Sequence, residues 1–99
     1  MIDDAKRRAV CDRDGGMCVV CHTYRPLHGP LGERGETAHR VAKAPWTLRR
    51  YGEERIDHVD NLAWTCHGNC NDAVLITFAP VPREALMKHI QEVLDDDRP

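Results

Sequence analysis

Aromatic residues are scarce: two Trp, two Tyr and one Phe make up 5% of 99 residues. A core built on broad aromatic packing is therefore excluded, and a chain this short often needs a staple besides its apolar core. No apolar run approaches the roughly 20 residues of a membrane helix, so no membrane association is expected. The first residues, Met1 to Lys6, carry charge early and no apolar stretch follows them. That is not a secretion signal, and a reducing cytoplasmic interior is the expected compartment. Internal repeats are lacking too, and the one biased tract is the short acidic run Asp95-Asp96-Asp97. Net charge is only −2, which argues against a molecule that binds polyanions with its whole surface.

What is present fits one soluble domain over residues 1–99, with 41% hydrophobic and 30% charged residues. The charge is unevenly placed. Residues 25–55 carry seven basic and four acidic side chains, whereas residues 56–99 carry three basic and eight acidic. An anionic partner would be met in the middle of the chain. A short helix is expected from Asp3 to about Arg13, opened by carboxylates and closed by Asp14-Gly15-Gly16. Pro26, Gly29, Pro30, Gly32 and Gly35 mark a loop over 25–36. A short strand is expected over Glu36 to Val41. Residues 43–55 read as irregular or weakly helical, with Pro45 as a breaker. Residues 56–65 form a second ordered stretch, and 72–78 fit a helix or a strand equally. Pro80 and Pro82 punctuate. The clearest helix is 83–95, where Leu86, Ile90, Val93 and Leu94 fall on one face with Met87 flanking it. That stripe suits the chain's own core or a dimer.

Five cysteines stand in the chain. Cys18-x2-Cys21 is followed after 44 residues by Cys66-x3-Cys70. Two close pairs far apart in sequence suit a tetrahedral Zn²⁺ site. Four thiolates close the coordination sphere, so such an ion is structural and would join the two halves of the chain. Two disulfides are the competing arrangement, and His22 or His67, each next to a cysteine, could replace one thiolate. Cys11 reads as a small buried hydrophobe.

Between the pairs comes Glu36-Thr37-Ala38-His39-Arg40-Val41. Then follow Asp60-Asn61-Leu62-Ala63-Trp64-Thr65-Cys66 and Cys70-Asn71. In this order the motifs resemble the HNH endonuclease family in its zinc-stapled four-cysteine form, over about residues 7–74. The resemblance implies an α+β fold: a small ββα-metal core with a structural zinc and helices flanking it at both ends. It implies metal-dependent hydrolysis of DNA phosphodiester bonds, with RNA as an alternative substrate. His39 would be the general base, because a neutral imidazole can take a proton from water near neutral pH. Asn61 would orient that base or the water. Asn71 would hold a catalytic Mg²⁺ or another divalent cation, since an amide oxygen suits a hard ion. The family commonly places a carboxylate or His where Ala38 stands. Glu36, on the same side of a strand, could reach in as a ligand. That departure keeps a second reading open: a catalytically inactive zinc-binding module that docks on nucleic acid or protein. Small stand-alone nucleases of this family occur in phages, mobile elements and restriction systems.

Arg40, Lys43, Trp46, Arg49 and Arg50 follow the expected base. Cations neutralise phosphates and an interleaved aromatic can stack on bases, so these five are the candidate nucleic-acid contacts. His58, three residues before Asn61, is a reserve candidate.

Overall fold

Helix α1 spans Asp4–Arg13 in the computed structural model, which describes residues 2–98. Asp3 caps it by accepting the Lys6 N–H at 2.9 Å, and Asp4 adds a carboxylate to the first turn, where the helix dipole favours it. Gly15 and Gly16, both at positive φ, then reverse the chain as the sequence predicts.

Strand β1 (Glu36–His39) pairs antiparallel with β2 (Leu62–Thr65), with Thr37 opposite Trp64 and His39 opposite Leu62. Side chains alternate along a strand, and directly paired residues share a face. Thr37, His39, Leu62 and Trp64 therefore lie on one face, and Glu36, Ala38, Ala63 and Thr65 on the other. β1 stops short of the expected Val41. The Val41 N–H goes to the Asn61 side chain at 2.9 Å rather than to a neighbouring strand.

Residues 43–55 are more regular than expected. They form α2 (Pro45–Tyr51) and α3 (Glu53–Ile56), separated by Gly52 at φ 84°. Pro45 starts α2 instead of breaking it, because the first helical position has no use for an N–H. Thr47 Oγ1 accepts the Ala44 N–H at 2.9 Å and completes the cap. A 3₁₀ turn (Val59–Asn61) leads into β2, and the short α4 (Asn69–Ala73) follows it. The ambiguous stretch 72–78 is the end of α4 and an irregular connection. Helix α5 spans Pro80–Asp96. It begins before residue 83 because Pro80 and Pro82 both fit its first turn.

Two apolar clusters hold these elements. Val10 of α1 packs on Leu62 and Trp64, with Ile2, Cys11, Leu27 and Val59 around them. Val41, Tyr51 and Ile56 pack on Met87 and Ile90 of α5. Burying one such side chain contributes about 1.5–3 kcal/mol. Of the α5 face, Met87 and Ile90 are buried and Leu86 and Leu94 partly buried against this cluster, so Met87 lies at its centre rather than at its margin. Among the described residues the result is an α+β arrangement of five α-helices, one 3₁₀ turn and a two-stranded antiparallel sheet. α1 lies on the Trp64 face, and α4 meets the Glu36 face. Among the described residues no helix is long and apolar enough to cross a membrane.

Candidate functional site

The first cysteine pair sits on a tight knuckle after α1. Cys18 N–H donates to the Thr23 carbonyl and His22 N–H to the Cys18 carbonyl, each at 2.9 Å. His22 adopts φ 64°, a conformation uncommon outside glycine, and so bends the chain round. Val19 N–H reaches the Trp64 carbonyl at 3.0 Å, which fastens the knuckle to β2. Cys66 directly follows that strand, and Cys70 lies in α4. The four sulfurs all lie within 4.8 Å of one another, and Cys21 Sγ is 3.5 Å from Cys66 Sγ. Sulfurs about 2.3 Å from a common tetrahedral centre would stand about 3.8 Å apart, so the cluster could hold one metal ion. All five cysteines are free thiols. Neither His22 nor His67 belongs to the cluster.

Electrostatics in the cluster are divided. The Thr23 hydroxyl and backbone, with help from Cys66, lower the Cys21 thiol to about 6. Burial works against ionising Cys18, but backbone N–H groups around it prevail and lower its pKa. Cys70 is pushed up to about 12 by burial and by its neighbours Cys18 and Cys21. Arg25 donates Nε–H to Cys66 Sγ at 3.1 Å. That contact favours the Cys66 thiolate, yet burial and the thiols of Cys21 and Cys18 outweigh it and raise the pKa. Four sulfurs this close cannot all carry charge without a cation among them. A divalent ion held there would supply that charge and release the thiol protons.

His39 ends β1 on the Trp64 face. Its Nε2 lies 2.9 Å from Asp57 Oδ1, and Lys43 Nζ lies 2.7 Å from Asp57 Oδ2. The His39 side chain is 22% exposed and that of Asp57 1%. Burial alone would suppress the Asp57 charge, but hydrogen bonds from Lys43 and His39 hold its carboxyl well below the usual carboxylate range. The same contact raises Lys43. Asp57 escapes sequence reading. Its one signal is its place directly after Ile56, at the start of a stretch that becomes buried.

Among the described residues the Asn61 side chain makes no hydrogen bond to His39. It is fully buried, and its Oδ1 accepts from Val41 N–H while Nδ2 donates to the Val41 and Ile56 carbonyls at 3.1 and 2.8 Å. The carboxamide is occupied in tying the loop after β1 to the end of α3. The group that orients His39 is Asp57. His58 is likewise engaged locally, with Nδ1 accepting the Asp60 N–H at 3.0 Å.

Glu36 and Asn71 do come together. Asn71 Nδ2 lies 3.4 Å from Glu36 Oε2, and His67 Nδ1 lies 2.9 Å from Glu36 Oε1. His67 joins this group unforeseen from the sequence. The register of the sheet places Glu36 on the face opposite His39, so the expected convergence of positions 39, 61 and 71 is not found.

The basic and aromatic segment is partly absorbed into the fold. Lys43 is paired with Asp57, and Arg50 with Glu84 at 2.9 Å. Trp46 lies beside Phe78, ring centroids 6.3 Å apart, with the Arg83 guanidinium 5.3 Å from its own centroid. Arg40 lines a cleft of about 480 Å³ with Arg13, Asp60 and Val74. Arg49 is exposed. The sequence does not single out Phe78, which lies in a connection without periodicity, or Arg83, which stands in the first turns of α5 outside its apolar stripe. Comparison with protein families, with curated proteins and with solved structures finds no match to this chain.

Proposed function

We propose that this chain is an HNH-type nucleic-acid hydrolase, stapled by a structural Zn²⁺ on Cys18, Cys21, Cys66 and Cys70. Soft sulfur donors in a tetrahedral group favour zinc, which when bound supplies folding energy and no reactive position. The order β1, β2, α4 supports a ββα-metal reading of the core. The observation that carries the catalytic part is the His39–Asp57 pair. Asp57 fixes one ring nitrogen, Nε2, at 2.9 Å, and Nδ1 has no hydrogen-bond partner among the described residues. A ring held this way keeps one tautomer and can take a proton from an attacking water. The buried carboxylate then faces the positive charge that the ring acquires. Arg40, next in sequence, and Arg49 supply cations for the phosphates of DNA, the substrate we favour over RNA.

The family resemblance also implies an oxygen-preferring divalent ion such as Mg²⁺. Glu36 and Asn71 offer oxygen donors and His67 a nitrogen, but they stand across the sheet from His39. These residues do not fit an ion shared with His39. The same separation favours a second reading, a noncatalytic zinc-held module that docks on nucleic acid. Supercoiled plasmid incubated with the protein and Mg²⁺, Mn²⁺ or Ni²⁺ separates the two. Wild type is expected to cut, and His39→Ala to cut slower by about 100-fold or more. Equal cutting, or none, by both proteins removes the hydrolase and leaves the docking module.

A further inference from the structure

An apolar groove of about 340 Å³ lies beside α2, lined by Ala42, Ala44, Trp46, Leu75, Thr77 and Phe78 among others. Of these, Phe78 is 87% exposed and Leu75 45%. Single exposed apolar residues are ordinary, but two lining one groove beside Trp46 mark a binding surface. The groove is tied to the end of the strand that carries His39. Ile76 N–H donates to the Arg40 carbonyl at 2.7 Å, and Ala42 N–H donates to Thr77 Oγ1 at 2.9 Å.

The charges around the groove narrow the choice of occupant. Arg83 lies over the Trp46 ring. Arg49 and Arg50 follow Trp46 by three and four residues in α2, which places them on its side of the helix. Glu84 takes Arg50, Arg83 and the Tyr51 hydroxyl. Arg49 makes no ion pair among the described residues. Three arginines against one carboxylate leave this surface positive in a chain whose net charge is −2. An apolar partner surface would match only the floor of the groove; a polyanion with flat apolar rings matches the floor and the rim.

We infer that this groove seats an unpaired base of single-stranded DNA, stacked on Phe78 beside Trp46, with a flanking phosphate on the exposed Arg49. The inference rests on the nucleic-acid reading above and sharpens it. Bases inside a duplex are covered by their neighbours and cannot reach such a ring, so the substrate is single-stranded or locally opened DNA.

The test uses the metal-loaded full chain and fluorescein-labelled oligonucleotides of one sequence as single-stranded DNA, duplex DNA and single-stranded RNA. Anisotropy is expected to show tightest binding to the single-stranded DNA. Phe78→Ala removes an exposed ring and leaves the core intact; it should weaken that binding about tenfold and leave duplex binding unchanged. Trp46 emission should be quenched on binding, while buried Trp64 supplies a constant background. Duplex preference, RNA preference, or an unchanged Phe78→Ala overturns the groove assignment and leaves the nucleic-acid function standing. Failure to bind any of the three overturns both. Self-association of the wild type that Phe78→Ala abolishes, seen by sedimentation without DNA, also overturns it and makes the groove a face between copies.

Discussion

Asp57 serves three side chains at once. Its carboxylate oxygens take His39 and Lys43, and its carbonyl accepts Lys6 Nζ at 2.9 Å. One buried residue thus ties β1, the loop before α2 and helix α1. A carboxyl held below its ordinary pKa stabilises the fold at pH above its unfolded value, about 3.9. That stabilisation is lost as pH falls from there toward the depressed folded value. Asp57→Asn is expected to cost about 1–3 kcal/mol at pH 7, and the gap to wild type should narrow by about 1 kcal/mol at pH 3. Urea unfolding of both proteins at the two pH values measures this, and acid loss of metal affects both alike. A gap independent of pH would mean that the Asp57 charge is not what holds His39 and Lys43. His39 was legible in the sequence by its place between the cysteine pairs. Asp57 was not, because which of 16 acidic residues becomes buried depends on contacts made across the fold.

Individual elements divide by how local their causes are. The Asp3 cap and the stripe of α5 arise within a few residues, and both were legible. Pro45 and Pro80 look like breaks in the sequence, because proline ends a helix in its interior yet suits its first turn, and position within an element is known only once the element is. Gly35 shows a cause hidden from sequence altogether. It reads as one more loop glycine, but a Cβ there would lie 2.2 Å from Trp64 Cε2. The bare backbone lets the buried indole lie flat against the chain just before β1. Gly35→Ala must displace Trp64 or the strand, so a loss of about 1–3 kcal/mol is expected. In a domain of this size that lowers Tm by at least about 4 °C, which a thermal melt followed by circular dichroism would register. An unchanged Tm would show that Trp64 can move at no cost.

The whole molecule is two small apolar clusters and a group of four sulfurs. The cysteine spacing made the sulfur group legible, because paired ligands carry their own local geometry. The two faces of the sheet were not, since they follow from a register between strands distant in sequence; hence Glu36 met Asn71 while His39 met Asp57. The balance of energies then says what holds the molecule together. A structural zinc site is worth about 10–16 kcal/mol in zinc-finger peptides, against about 5–15 kcal/mol for the stability of an entire domain. With five aromatic residues in all, the apolar clusters here belong at the low end. A zinc ion held by the four sulfurs, as proposed, would therefore decide whether the chain is folded. Stripping it with a strong chelator under reducing conditions should shift buried Trp64 emission to the red and collapse near-ultraviolet dichroism, both reversed by Zn²⁺. Cys66→Ser should unfold at a far lower urea concentration even with zinc present, because it removes the ligand directly attached to β2. If the chelated wild type keeps its Tm, the apolar clusters suffice alone, and the four sulfurs are not the joint between the halves of the chain.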